Sequence, residues 1–377
     1  MQKTGRYVPA IFAFFLVFFA PVISNNQDIK KLIDSSPKFA DKKYVALEKL
    51  YKIDVTEIGM FNRQLSNDYK SVIDFDDDGN MYVLDVYENS IFVFDNKGKL
   101  ARKFGRSGQG PKEFERANRL IIQNDRIYVF QWLHSYKVLN LEGEYISQQN
   151  INFENPLKIE RVNDNFYVFS GKVDPTFTKL EFTITIVDDQ FSRLKEIFKH
   201  EYPPGLGGPN YDFTWPNWLL ISKNGEFYFP EDNFNEYSIG KYDKDGKPEF
   251  IFGRKYSKKS YSKEARDKFY SLYGQAIEKG ERAFPHSPPI VRNMFVDSRK
   301  NIWVISGETG EDNGNPDYEN AVDIFAENGE WLCSIKTNLI SRYSFYDDGK
   351  IYSVSSIDPD SYEQFIDIYK IKYLYDQ

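Results

Sequence analysis

The sequence predicts an all-β fold, a six-bladed β-propeller of four-stranded antiparallel blades, from three observations. A polar turn followed three residues later by an aromatic recurs along the chain, at Tyr82, Tyr128, Tyr167, Tyr228, Trp303 and Tyr352. A second strand follows each anchor, often with a second Asp/Asn/Gly turn, as in "IFVFDNKGK" at 91–99, "IGKYDKDGK" at 239–247 and "VDIFAENGE" at 322–330. The sixth unit runs out after its third strand, whereas a spare strand, "EKLYKIDVTEIG" at 48–59, stands ahead of the first. Short antiparallel strands at this spacing are propeller blades. Pairing the spare strand with the incomplete unit closes the ring without an open edge.

The N-terminus comes first in order. Lys3 and Arg6 precede the apolar run "AIFAFFLVFFA" at 10–20, and Val22 and Ser24 occupy small-residue positions. Residues 1–24 therefore read as a signal peptide cleaved after Ser24. The alternative is an uncleaved anchor, because 8–23 approaches spanning length; Pro9 and Pro21 interrupt the run and favour cleavage. Residues 25–43 read as a polar leader and 44–377 as the propeller. The expected location is exported, periplasmic or at the cell surface, with membrane contact only through the N-terminal segment if it is uncleaved.

The chain has one cysteine, Cys333, so an exported form has no internal disulfide. In "EWLCSI" Cys333 reads as a small buried hydrophobe on a strand. A net charge of −7 with no long basic run argues against nucleic acid as a partner.

The first unit opens with "DFDDDGNMYVLD" at 74–85, whose alternating carboxylates and Gly79 have nearly the spacing of a calcium loop. The sibling turns lack the three carboxylates, and no helix pattern flanks the stretch, so it reads as a hairpin turn. The strands of this unit are expected at 69–75, 80–86, 90–95 and 99–104. One insertion is helical: "SKEARDKFYSLYGQAIEKG" at 262–280 has Ser262 as N-cap, Gly280 as stop, and Ala265, Phe269, Leu272 and Ala276 on one face.

Asp76, Gly79, Asn80, Tyr82, Val83, Asp85, Ile91, Val93, Phe94, Asp95 and Gly98 resemble an NHL repeat, and "FGRSGQGPKEF" at 104–114 resembles the Gly-rich link before the next NHL blade. The chain looks like the exported bacterial six-bladed propellers with NHL-like repeats. It departs from the repeat at Ser90, where an Arg is common. The resemblance implies the fold; propellers of this kind include scaffolds, binders, lactonases and lyases.

Antiparallel geometry sorts the connections onto two faces. First-to-second and third-to-fourth turns share one face. Second-to-third loops and inter-blade links share the other, where the long segments 199–217, 253–289, 307–320 and 355–363 fall. Long irregular loops on one face usually carry binding.

Candidate ligand-binding residues on that face are Arg106, Trp132, His134, Tyr211, Trp215, Glu231 and Arg254. Trp132 and His134 sit together in "FQWLHSY", and Tyr211 and Trp215 in "GPNYDFTWPNWLL" could stack on a sugar or peptide. Arg106 and Arg254 share the context "FGR"; each either binds an anionic group or pairs with a neighbouring blade's carboxylate. "GRSGQG" lacks the ending of a phosphate loop and reads as a link turned by Gly108 and Gly110. His134, His200 and His286 have no metal-ligand spacing, and no nucleophile elbow is present.

No catalytic or metal-ligating residue is assigned and no cofactor is expected. Calcium is the one ion with candidate oxygens, from Glu231, Asp232, Asn233 and Asn235 or from Asp312, Asn313 and Asn315. The expected function is an extracytoplasmic binding module for a protein or glycan of the cell envelope. The alternative is a calcium-dependent lactonase or hydrolase with its ion in the central channel.

Overall fold

Two strands precede the blades, β1 (Lys31–Asp34) and β2 (Val45–Asp54). Blade 1 is β3 (Ile73–Phe75), β4 (Met81–Asp85), β5 (Ser90–Phe94) and β6 (Leu100–Phe104). Blade 2 is β7 (Ala117–Gln123), β8 (Arg126–Gln131), β9 (Ser135–Asn140) and β10 (Tyr145–Asn150). Blade 3 is β11 (Pro156–Val162), β12 (Asn165–Val173), β13 (Leu180–Val187) and β14 (Arg193–Tyr202). Blade 4 is β15 (Leu220–Ile221), β16 (Phe227–Pro230), β17 (Ser238–Tyr242) and β18 (Pro248–Arg254). The helix α1 (Lys263–Glu278) lies in the link to blade 5, which is β19 (Val291–Val296), β20 (Ile302–Ser306), β21 (Asn320–Phe325) and β22 (Trp331–Thr337). Blade 6 is β23 (Phe345–Asp347), β24 (Lys350–Val354), β25 (Phe365–Tyr373) and, as its fourth strand, β2.

The structure is a computed structural model that describes residues 29–40, 44–59, 71–131, 135–151, 153, 156–173, 180–202, 219–232, 235–257, 263–278, 290–307, 320–341, 343–354 and 363–375. The chain is a six-bladed β-propeller, as the repeat predicts. Residues 1–24, read from the sequence as a signal peptide, lie outside the described residues, as do the expected caps Ser262 and Gly280. The side chains of the expected apolar face of α1 also lie outside the described ones, while Lys263, Arg266, Asp267 and Tyr270 are exposed.

The ring closes by antiparallel pairing of β2 with β25, from Val45 opposite Tyr373 to Asp54 opposite Phe365. The closing strand starts three residues earlier than expected and stops at Asp54. Beyond it the chain turns inward, burying Val55 and Ile58, and the Ile58 amide donates back to the Val55 carbonyl at 3.0 Å.

The leader holds an element that the sequence did not announce. β1 adds to the outer strand of blade 4 in parallel, with Lys31 opposite Ile251 and Asp34 opposite Arg254. Further along, the Lys38 and Phe39 amides donate to the Trp331 and Leu332 carbonyls of blade 5, each at 2.9 Å. Residues 31–39 and 45–54 thus lie along the rim on blades 4, 5 and 6.

The six aromatic anchors all lie on second strands and are buried. Several reach the next blade: Tyr128 packs edge-on at 5.7 Å from Phe166, and Tyr352 lies 4.6 Å from Phe75. The core is accordingly a ring of layers between blades rather than one central mass. First strands contact first strands, as in β3 with β7 and β19 with β23, and so surround the centre.

Candidate functional site

One face of the disc is made of tight turns built to one plan. In Asp76–Asn80, Asp95–Lys99, Asp188–Ser192, Asp243–Lys247 and Asp297–Asn301 the first amide donates to the fifth carbonyl and the fourth amide to the first carbonyl. The leading Asp accepts the third and fifth amides on Oδ1, for Asp76 at 3.1 and 2.8 Å. This side-chain capping is why Asp begins these turns. The fourth residue has positive φ and is usually Gly; Phe191 (φ 58°) and Lys300 (φ 62°) take the position in blades 3 and 5. Phe191 is held there by its burial against Phe166, 5.0 Å away.

The carboxylates of 74–85 point to three separate tasks. Asp76 Oδ2 accepts from Asn80 Nδ2 and from the Tyr82 hydroxyl at 2.9 and 3.1 Å. Asp74 Oδ2 takes the Ile122 amide of blade 2 at 2.7 Å. Asp85 receives the Tyr87 and Gly59 amides at the opposite end of the strand. The stretch is a hairpin, as its siblings indicate.

The opposite strand ends define the other face, where the described residues include the turn 86–89 and the inter-blade loop 105–116. Of the long segments expected there, 199–217, 307–320 and 355–363 lie largely outside the described residues, and 253–289 is described only at 253–257 and in α1. Of the expected ligand-binding residues, Trp132, His134, Tyr211 and Trp215 lie outside the described residues, as do His286, Asn233, Asp312, Asn313 and Asn315. Arg106, Glu231 and Arg254 are described, and they occupy three different settings.

Arg106 is on the loop between blades 1 and 2, its side chain 80% exposed. Its Nε and Nη2 lie 2.8 and 2.7 Å from Glu113 Oε1, and Glu113 Oε2 accepts the Gly110 amide at 2.9 Å. The Gly110 amide, with the guanidinium, holds the Glu113 carboxyl below its ordinary range. Beneath the loop, the buried Lys137 donates from Nζ to the Gly110 and Glu113 carbonyls, both at 2.6 Å. Burial lowers the Lys137 pKa. The link is a preformed loop that presents Arg106 to solvent. Its positive-φ glycines are Gly105 and Gly108 rather than Gly110, and a Cβ on Gly108 would fall 2.2 Å from Glu113 Oε2.

Arg254 is interior. Its Nε donates to Asp323 Oδ2 of blade 5 at 2.9 Å, with the two side chains 7% and 0% exposed. Tyr237 donates to the same oxygen at 2.8 Å, and Ser334 donates to Asp323 Oδ1. Of the two readings open to Arg254, the neighbouring-blade carboxylate is what the structure places beside it. Burial, opposed by the guanidinium, pushes the Asp323 carboxyl up.

Glu231 follows β16, in the seam between blades 3 and 4. Its Oε1 accepts the Tyr242 hydroxyl at 2.6 Å, and its Oε2 lies 3.9 Å from His200 Nδ1. Tyr242 reaches it by crossing Gly240, where a Cβ would fall 2.0 Å from Glu231 Oε1 and 2.7 Å from the Tyr242 ring. The His200 ring lies 4.9 Å from Phe229. Burial raises the Glu231 pKa and lowers that of His200, so both neutral forms are favoured. Asp232, beside it, accepts the amide and the Nδ2 of Asn235.

The channel end of this face shows a repeated device. β7, β11 and β19 each slip register near their start, between Ala117 and Arg119, Pro156 and Lys158, and Val291 and Asn293. The residue after each bulge donates to the next blade: Arg119 Nη1 to the Ile159 carbonyl at 3.0 Å, Lys158 Nζ to Leu219 at 2.9 Å, and Asn293 Nδ2 to Ser344 at 2.7 Å. Sequence reasoning missed these. Their signal is a polar residue set early in an apolar run, in "ANRLII", "PLKIERV" and "VRNMFV".

Among the described residues, no group of three or more His, Cys, Asp or Glu is placed to hold a metal ion.

Comparison with known proteins bears on the fold. A family model described as a 6-bladed beta-propeller matches residues 65–206. No curated protein matches the chain in sequence. Among solved structures, a Bacteroides fragilis protein described as exported is 12% identical, aligns over 92% of this chain and 99% of its own, and has a TM-score of 0.53. A Bacteroides vulgatus protein is 13% identical over 88% of this chain and 99% of its own, with a TM-score of 0.47. The virginiamycin B lyase of Staphylococcus aureus is 12% identical over 88% of this chain and 100% of its own, with a TM-score of 0.43. The first of these is similar in fold, and with the family model it supports the six-bladed architecture.

Proposed function

We propose that the chain is an exported, non-enzymatic binding module of the cell envelope that recognises a protein or glycan through its loop face. The observation that carries this reading is the division of labour between the two faces. Tight, self-capped turns finish one face, while the other presents the preformed Arg106 loop and the strand ends from which the long connections leave. A rigid disc with its irregular segments on one side is a common binding architecture.

The described carboxylates favour binding over calcium-dependent hydrolysis. Asp76 uses its oxygens inside its own turn, Asp232 closes on Asn235, and Glu231 takes the Tyr242 hydroxyl. The reading needs no cofactor. Localisation outside the cytoplasm rests on the signal-like N-terminus and on the similarity in fold to a protein described as exported.

The test is site-specific photo-crosslinking in the native envelope. A photoreactive phenylalanine replaces Tyr87, 49% exposed on the loop face, or Asp77, exposed on the turn face. Adducts with envelope protein or polysaccharide are expected from position 87 and not from 77. Equal labelling from both, or labelling from 77 alone, would overturn the assignment of the face.

A further inference from the structure

The outer edges of the six blades are not alike. β1 covers the edge of blade 4, and the Lys38 and Phe39 amides occupy the start of the edge of blade 5. The edges of the other blades carry no such cover among the described residues. Three of those edges are charged: β6 has Arg102 and Lys103, β14 has Arg193, Lys195, Glu196, Lys199 and Glu201, and β2 has Glu48, Lys49, Lys52 and Asp54. Charged side chains are the usual protection of a free edge against pairing with another strand.

β10 of blade 2 lacks that protection. Its sequence, "YISQQN", has no charged residue and no proline. Every residue of it is exposed except the half-buried Ser147. Tyr145 and Ile146 are 39% and 48% exposed. The register slip between Tyr145 and Ser147 recurs next to the third-to-fourth turn in blades 1, 4 and 5. It belongs to the hairpin and leaves Ser147–Asn150 regular.

Blade 5 shows what covers this position when it is covered. Leu332 stands three residues after Gly329, as Ile146 stands three after Gly143. Leu332 is 1% exposed, with the Phe39 amide bonded to its carbonyl. The outer edges of this propeller thus accept added strand segments, in β1 and at residues 38–39.

We propose that β10 is a homodimerisation edge, at which the β10 strands of two copies pair antiparallel across a twofold axis and join two blades into one continuous sheet. Charge selects the occupant. Pairing of like strands about a twofold axis sets the central residue against its own copy, so a strand charged at its centre repels its copy. β6, with Arg102 at its centre, is excluded on that ground, β14 keeps a row of charged side chains along its edge, and β10 has neither. With the axis at Gln148, Gln148 falls opposite its own copy, Ser147 opposite Gln149 of the partner subunit and Ile146 opposite Asn150 of the partner subunit. The central glutamines can then hydrogen-bond across the seam, as stacked glutamines do in other paired strands.

The test is sedimentation velocity of the mature chain up to about 100 μM, a range that detects micromolar dimers. A concentration-dependent dimer is expected. Ile146→Lys with Gln148→Lys should return it to monomer, and Leu194→Lys on blade 3 should not. A second measurement does not depend on charge. Gln148→Cys should form an intermolecular disulfide under mild oxidation and Leu194→Cys should not; Cys333 is buried, with its thiol pushed up to about 12, and stays silent. Circular dichroism confirms that each variant is folded. A chain that is monomeric throughout the range, or a dimer that survives both lysines, overturns the proposal. A β10 edge reserved for a different protein gives the first of these results.

Discussion

Arg254 Nε donates to Asp323 Oδ2 across 2.9 Å, tying the outer strand of blade 4 to the third strand of blade 5 with both side chains out of water. The pair is completed by Tyr237 and Ser334 and flanked by the Trp331 ring, 5.2 Å from the guanidinium. Removing one member leaves the other charge buried, which typically costs about 3–5 kcal/mol. Asp323→Ala should therefore lower the melting temperature substantially. Asp323→Leu with Arg254→Met should recover most of the loss, because a well-packed apolar pair can replace a buried ion pair at little cost. Calorimetry on the three variants decides it; a double variant no more stable than Asp323→Ala would show that the pair is irreplaceable.

The seam between blades 3 and 4 predicts two opposite pH dependences. Burial raises the Glu231 pKa above its ordinary 4.5. A carboxyl with a raised folded pKa stabilises fully below its unfolded value and loses that contribution as pH rises through the folded one. Burial lowers the His200 pKa below its ordinary 6.5. Its contribution is present above 6.5 and is lost as pH falls through the folded value. Glu231→Gln should flatten the decline on the rising side, and His200→Gln the decline on the falling side. Urea unfolding between pH 4 and 8, read against the wild type, checks both. If neither slope changes, the seam is not the titrating element.

Two turn glycines should differ sharply despite similar backbone angles. Gly349 has φ 78° and open space where a Cβ would stand. Gly349→Ala then costs only the left-handed conformation, about 1–2 kcal/mol. Gly246 has φ 82°, and its Cβ would fall 1.5 Å from the Ile197 carbonyl oxygen of blade 3. That oxygen belongs to a strand and cannot move alone, so Gly246→Ala should cost at least twice as much. Equal losses by denaturant melt would mean that the blade 3–4 contact is softer than its geometry.

The fold was legible because its information is local. Each polar turn and the aromatic three residues on are written within a few positions, and six copies of that pattern reinforce one another. The closing strand was legible as a remainder, since β25 lacked a partner and the stretch before blade 1 had none. β1 was not: four residues, "KLID", outside the repeat, pair in parallel with a strand some 220 residues away. The partners of Glu231 and Arg254 were hidden for the same reason. His200 and Asp323 reach them only across a seam between blades, which no sequence period marks. Lys137 reads as a surface lysine, and its burial depends on a loop that folds back over it.

The rim segment predicts a graded loss on truncation. A chain beginning at residue 41 lacks β1 and the Lys38–Phe39 pairing but keeps β2. It uncovers Trp331, Leu332 and the outer strand of blade 4 while leaving the ring closed, so it should fold and melt cooperatively at a lower temperature. A chain beginning at residue 55 also loses β2, and with it the pairing along the whole of β25 and the buried side chains of Val45 and Ile53. β25 then becomes a free edge flanked by exposed core, which invites aggregation. The near-ultraviolet circular dichroism from the aromatic layers and the elution volume on size exclusion should be kept by the first chain and lost by the second. A chain from residue 55 that stays monomeric with a sharp melt would show that five complete blades and a three-stranded sixth hold the ring without its closing strand.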